Sequence, residues 1–381
     1  MKLRPDITVV AQSFGEREPA EHLVDRFLMG YTQTGKWVSP GDSKVHLYVQ
    51  SGARGEAIAQ RQADFGMQTF DSLQKAAAGA EALILVPDEC ATLVADEFIG
   101  AAMDVVRTGA QVFVHGALAS SAAVARNLVR IAEFRKVQLF SGSFFPTAPR
   151  LPPVDVPRGV ALVETVVVAA GDPSQLEFRA LDTVLPFLER RAGGESGIAA
   201  VRALAGDSVW RAQNDRQWSR ELLGAALSRS STPEGTGESE SRPHNQLGLG
   251  EVRRLANDPV AYVIDHVDGL RTTVLLLNGV VREMNVATRT SDGDILSTQL
   301  YEQPSMWRYK PPPNVHQWTS LVACLDTSFR SRALPWPTQR GVLTASLLET
   351  MRAARARLQF SVEGPGSALA YRNASPSTFE R

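Results

Sequence analysis

The side chains able to move protons or hold charge are few and scattered in this chain. His115 closes the stretch "GAQVFVH" (109–115). An imidazole at a strand end is a candidate general acid or base, or a ring that simply donates to a backbone carbonyl. His22 and Asp25 stand three apart in "AEHLVDRFLMGY", a spacing that turns both to one side of a helix, toward each other or toward solvent. Arg150, Arg190 and Arg191 are candidates for an anion seat, because a guanidinium reads carboxylates and phosphates through paired bonds. The "ERR" that ends at Arg191 equally fits basic residues complementing a helix C-terminus. His266 in "IDHVDG" is read on a hairpin arm and His316 in "PPPNVHQW" on a loop. Neither has metal-ligand spacing, so no metal site is expected. Ser141 and Ser143 in "FSGSFF" lack the G-x-S-x-G elbow that would expose a nucleophile.

The elements that must position these residues change character along the chain. Up to about residue 148, apolar runs such as "ITVVAQ", "VHLYVQ", "ALILVP", "QVFVHG" and "VQLFSGSFFP" alternate with amphipathic helical stretches. Strands apolar across their whole width, each followed by a helix, imply a parallel sheet covered on both faces. This is an α/β, doubly wound, Rossmann-like domain over 1–148, with "TQTGKWVSPGDSK" (32–44) read as a turn-rich loop. The proline-rich "RLPPVDVPRG" marks a boundary. Residues 149–381 read as an α+β domain with a mainly antiparallel open sheet, including a hairpin over Asp268-Gly269. Residues 230–246 are low in complexity and read as a mobile loop. "PTQRGVLTASLLETMRAARARLQ" (337–359) reads as a terminal helix with Leu343, Leu347 and Met351 on one stripe.

Bulk composition narrows the function classes. Net charge is −1, with 44% hydrophobic and 21% charged residues, so nothing pulls the chain toward nucleic acid or an anionic membrane. Of the basic residues six are lysines and 34 arginines, and no lysine lies between Lys75 and Lys136. Cys90 and Cys324 are far apart in apolar surroundings and read as buried free thiols, which fits a reducing compartment. No apolar stretch approaches the ~20 residues that span a bilayer, and no signal-peptide pattern opens the chain. A cytoplasmic protein is expected.

The arrangement resembles the Gfo/Idh/MocA oxidoreductases, the glucose-fructose oxidoreductase and inositol dehydrogenase group. "RQADFGMQTFDSLQKAAAGAEALILVP" is similar to that family's run of helix, FG turn, short strand, helix and strand. "GAQVFVHGALAS" resembles its "GKHVLVEKPLA" segment, and "VQLFSGSFFPTAPR" its crossing into the second domain. "LEFRALDTVLPFLERRAGGES" is similar to the helix that opens its substrate face. The "ERRAGGESG" and "GSFFP" segments place the resemblance nearest a divergent bacterial branch. What the resemblance implies is an NAD(P)-dependent dehydrogenase, a small-molecule ligand in the interdomain cleft, and a homodimer or tetramer. "VALVETVVVAAG" and "TTVLLLNGVV" are apolar enough for burial on two sides, which suits such pairing.

The implied chemistry then fails position by position. The first βα turn, "VVAQSFGEREPAEH", has Ala11 and Ser13 where a dinucleotide fingerprint carries glycines, and keeps only Gly15. Glu16 and Glu18 bring negative charge to the place of a diphosphate. Gln50 stands where an acidic residue takes the ribose hydroxyls. Ser13, Gly15, Gln50 and Pro87 are the remaining candidate cofactor contacts. The family's proton-donating lysine corresponds to Gly116, and its second-domain acid/base set to Gln175, Glu177 and Arg179. General acid–base catalysis is worth roughly 10²–10⁴-fold; glycine supplies none, and a guanidinium does not release its proton near neutral pH. His115, Arg179 and Asp182 are the catalytic candidates left. Three readings stay open: a pseudo-oxidoreductase, a working NAD(P) dehydrogenase on a sugar or polyol with relocated acid/base groups, and a non-redox enzyme or sensor of an anionic metabolite.

Overall fold

Five-residue runs such as ITVVA, ALILV and QVFVH bury every side chain, which requires cover on both faces of the sheet they form. The computed structural model describes residues 4–16, 18–33, 35–41, 43–51, 55–88, 92–230, 249–281, 283–300, 315–358 and 360–375. Cys90, nearly all of the 230–246 loop and the side chains of Gln175 and His316 lie outside the described positions. The chain forms two compact units: Met1–Thr147 with Asn314–Ala345 and Ser375–Arg381, and Ala148–Pro313 with Ser346–Ala374.

The first unit runs β1 (Ile7–Ala11), α1 (Pro19–Met29), β2 (Tyr31–Gln33), β3 (Lys36–Val38), β4 (Val45–Val49), α2 (Gly55–Phe65), β5 (Gln68–Thr69), α3 (Leu73–Gly79), β6 (Ala82–Val86), α4 (Thr92–Val105), β7 (Gln111–His115), α5 (Ala122–Phe134) and β8 (Gln138–Gly142). Six strands pair in parallel in the order β5-β4-β1-β6-β7-β8, so strand order reverses beside β1. Ser72 and Ser121 cap α3 and α5 through their hydroxyls, and α5 turns Ala125, Leu128 and Ala132 inward. The stretch 32–44, expected as a loop, contains the antiparallel β2–β3 hairpin. Gly30 has φ +94°, and a Cβ there would stand 2.5 Å from the Val38 carbonyl oxygen, so glycine allows the close turn into it.

The first unit also receives α10 (Val315–Ser331). His316 therefore lies in a helix and not in the expected loop: the helical register starts directly after the proline run. Asp326 of α10 accepts from Arg4 at 2.6 and 2.8 Å and from the Tyr31 hydroxyl at 2.8 Å. This carboxylate is held below its usual range, because its bonds from Arg4, Arg330 and Tyr31 outweigh the opposing effect of burial.

The second unit opens with β9 (Arg150–Leu151), β10 (Leu162–Ala169), α6 (Pro173–Leu188), β11 (Ile198–Ala205), α7 (Asp207–Asn214), α8 (Arg220–Leu227) and α9 (Leu249–Leu255). It continues through β12 (Asn257–His266), β13 (Arg271–Asn278), β14 (Asn285–Thr290), β15 (Ile295–Leu300) and β16 (Ser361–Gly366). Helix α11 (Thr338–Ala356) divides between the units. The eight-stranded sheet has the order β16-β11-β12-β13-β10-β14-β15-β9, and β10–β13 is its parallel pair. Side chains alternate across this sheet. Val166, Val168, Ala261, Val263, Leu275, Leu277 and Ala287 turn to one face and pack with Trp210 of α7, Leu222 and Leu223 of α8, and Trp218 between the two helices. Tyr262, on the opposite face, donates to Glu177 of α6. The strands "VALVETVVVAAG" and "TTVLLLNGVV" are thus apolar on two sides because helices of the same chain cover both, and this removes the reason they gave for a dimer.

Candidate functional site

Ligands of doubly wound sheets bind beyond the carboxyl ends of the strands, where the order reverses. Ser13, Gln50, Pro87 and His115 sit at or just past the ends of β1, β4, β6 and β7, and Gly15 lies in the turn that follows β1. The organiser of this edge is Gln12, which sequence reasoning passed over. Its N–H donates to Val86 O at 3.0 Å, its carbonyl accepts from Ser51 N at 2.9 Å, and its Oε1 accepts from Asp88 N at 2.6 Å. The Ser13 hydroxyl donates to Asp88 Oδ1 at 3.3 Å. Gln12 thereby ties the ends of β1, β4 and β6 together, its side-chain oxygen taken up by Asp88 N. A glutamine directly before the candidate Ser13 was the only trace of this in the sequence.

Gly15 is buried, and its open side is already taken. A Cβ built there would lie 3.3 Å from both Cδ and Oε1 of Glu18 and 3.5 Å from Oε2. Glu18 is the N-cap residue of α1 but makes no side-chain cap bond, and its Oε2 is buried without a hydrogen-bond partner. Beneath the turn, Phe14 is fully buried and lies 5.3 Å under the Arg61 guanidinium. Arg61 in turn donates to Asp25 at 2.5 and 2.8 Å and to Glu21 at 2.8 Å. Asp25 is therefore engaged by Arg61 of α2, neither paired with His22 nor simply turned to solvent. A dinucleotide needs a small, donor-rich first turn; this one presents a carboxylate, and the residues do not fit the group.

His115 is 1% exposed. Its ring stacks on Trp318 of α10 at 5.2 Å and 28°, and His22 stacks on the same indole at 5.1 Å and 21°. Phe144 meets the same indole edge-on at 5.3 Å. Burial first, and then the Arg26 charge, bring His22 down to about 4, so it is neutral in the stack at physiological pH. The next residue has different surroundings. Gly116 has φ +100° and donates to Gly142 O at 2.8 Å. Among the described residues nothing lies within 4 Å of a Cβ placed on it. Space for a reacting side chain exists at 116, where none is present, and the imidazole at 115 is packed into the core.

In the second unit Glu177 is 1% exposed and accepts from the Tyr262 hydroxyl and from Arg355 Nη1 at 3.0 Å. Burial pushes this carboxyl up, against the pull of Tyr262 and Arg355. Asp182 is likewise buried, and Arg179 is half-buried on the same helix. The three anion-seat arginines are engaged within the protein. Arg150 pairs with Asp155 at 3.0 Å and stacks 4.0 Å over Phe187. Arg190 meets the same Asp155 at 3.4 Å. Arg191 bonds Glu195 at 3.1 Å and Asp268 at 2.8 Å, and Glu195 also holds His266 at 3.1 Å. His266, isolated in sequence, completes this network through Thr272 at 3.0 Å. Burial alone would raise Glu195, but the bonds from His266 and Arg191 override it and hold the carboxyl at about 2. The four-residue step from Arg191 to Glu195 was the readable signal; the approach of the hairpin carrying His266 and Asp268 was not.

Among the described residues no three His, Cys, Asp or Glu side chains gather to hold a metal ion, Cys324 is buried and outside any disulfide, and no helix is long and apolar enough to cross a membrane. No protein-family model matches the sequence, and no curated protein does. Solved structures match in fold. GenD2 from gentamicin A biosynthesis, in complex with NAD, is 15% identical with a TM-score of 0.57 over 94% of this chain and 96% of its own. The myo-inositol 2-dehydrogenase from Lactobacillus plantarum is 10% identical with a TM-score of 0.56 over 95% and 100%. The myo-inositol dehydrogenase from Lactobacillus casei, in complex with NAD(H) and myo-inositol, is 12% identical with a TM-score of 0.55 over 98% and 99%. A six-stranded parallel sheet followed by a mainly antiparallel one, matched along nearly the whole chain, is the fold of the Gfo/Idh/MocA-type oxidoreductases, and this chain has that fold.

Proposed function

We propose that the chain is a pseudo-oxidoreductase, a dehydrogenase scaffold that has kept its fold and lost hydride-transfer chemistry. One observation carries the reading: the open position at the end of β7 is Gly116, and the neighbouring imidazole is shut in against Trp318. Proton transfer in the transition state needs a titratable group within bonding reach of the substrate oxygen. His115 has the right chemistry in the wrong surroundings, and Gly116 the reverse. The second-unit set gives the same answer, since Glu177 is consumed by Tyr262 and Arg355.

What remains for such a scaffold is binding. The engaged arginines speak against an anionic metabolite at Arg150, Arg190 or Arg191, because each would first have to surrender a carboxylate. The test is steady-state turnover with NAD, NADP and their reduced forms against polyols, inositols and sugars at neutral pH. The expected result is no nicotinamide absorbance change above the uncatalysed rate for any pair. Sustained turnover with any of them, lost on His115→Ala, would return the chain to the working dehydrogenases.

A further inference from the structure

We propose that Glu18 is the resident occupant of the anion seat in the first βα turn, and that its carboxylate shuts dinucleotides out of this fold. The inference rests on the scaffold reading above for where that seat lies, and on the turn's own geometry for what fills it. A helix N-terminus beside the end of β1 offers free backbone N–H groups and the positive end of the helix dipole. A glycine in the preceding turn serves there to let a diphosphate approach the backbone. Here the glycine persists, and the volume it opens holds Cδ and Oε1 of Glu18, each 3.3 Å from the missing Cβ. The occupant is negatively charged, as a phosphate is, and it is tethered three residues away, so it competes at an effective concentration on the order of millimolar.

Two further features shape the turn around Glu18. Glu18 N donates to Gly15 O at 3.2 Å, closing the turn that brings the carboxylate back. The Gln12 side-chain oxygen and the Ser13 hydroxyl are both bonded to Asp88, which fixes the end of β1 beside the turn. Exclusion has an electrostatic part, repulsion between Glu18 and a diphosphate, which salt weakens. It also has a steric part, which salt leaves untouched.

Calorimetry with ADP and fluorescence titration with NADH, on the full chain, test this directly. Wild type shows no saturable binding of either. Glu18→Ser frees the seat and supplies a good N-cap; it gains affinity for ADP of about tenfold or more, the scale of one removed charge contact. Glu18→Gln keeps the shape without the charge and gains less than the serine variant at low salt. Glu16→Ser, at an exposed position of the same turn, stays like wild type. Tight ADP or NADH binding by wild type, unchanged in Glu18→Ser, overturns the inference. So does a folded Glu18→Ser protein, judged by an unchanged circular dichroism spectrum, that gains nothing. Turnover is not the readout: wild type that binds NADH without oxidising it refutes this inference and leaves the proposed function standing.

Discussion

At the scale of single residues the decisive pair is His115 and Gly116, adjacent in sequence and opposite in circumstance. Placing a lysine at 116 would put an amine in open space, but a side chain at φ +100° is strained. Gly116→Lys is therefore expected to cost about 1–3 kcal/mol of stability, read from urea midpoints, and to restore no turnover while Glu18 stays in place. Trp318, on which both histidines stack, is a core residue, 4% exposed. Trp318→Ala should cost about 3–5 kcal/mol in the same measurement. His22 adds a pH dependence. Its pKa falls from 6.5 in the unfolded chain to about 4 in the fold, so between these values the unfolded state binds a proton that the native state refuses. The stability it governs is complete above pH 6.5 and is lost as the pH falls toward 4. His22→Phe, which keeps a ring on Trp318, should flatten the melting temperature against pH in that window; an unchanged slope would refute the assignment.

At the scale of elements, local pattern foretold most of what local pattern controls. Continuous apolar runs gave the parallel strands, and Asp268-Gly269 gave the β12–β13 turn, where Gly269 N donates to His266 O at 3.1 Å. Three things escaped. The β2–β3 hairpin hid among turn residues because strands of three residues carry no periodicity. Helices α7 and α8 escaped because each is only eight residues long, about two turns, too short to show a clear helical period. The charge network of Arg191, Glu195, Asp268 and His266 depends on β12 and β13 returning beside α6, a contact that no spacing announces. Of the candidate site, letters alone showed which residues stand at Ala11, Ser13, Gly116 and Arg179, because the absence of a glycine or lysine is visible in a sequence. What filled the space, Glu18 and Gln12, needed geometry. The network also makes a prediction at this scale. Arg191→Met leaves Glu195 buried without its guanidinium, and breaking one partner of a buried pair costs about 3–5 kcal/mol. Chemical denaturation should show that loss, whereas Arg253→Met, whose pair with Asp207 is exposed on both sides, should change stability by less than about 1 kcal/mol.

At the scale of the whole molecule the question is what the helices covering one face of the second sheet are for. Strands β11 and β12 are antiparallel neighbours, a pair that a short turn would join. The chain instead departs after Ala205 and returns at Asn257, spending the interval partly on α7, α8 and α9, which pack Trp210, Trp218, Leu222, Leu223 and Val252 onto the sheet. Apolar surface removed from water by the chain's own helices is no longer available to drive association. A second copy pairing through this face would have to displace two buried tryptophans and their leucines, and would regain only what it had exposed. The expected solution state is therefore a monomer, with a light-scattering mass near the 41.3 kDa of one chain. Trp218→Glu turns the argument around: a charge forced under α8, where the indole N–H now donates to Val209 O at 2.9 Å, should loosen the cover, expose the sheet and raise the apparent mass through self-association. A wild-type dimer whose mass is insensitive to that substitution would show that the chain pairs by another surface and that the inserted helices serve some other end.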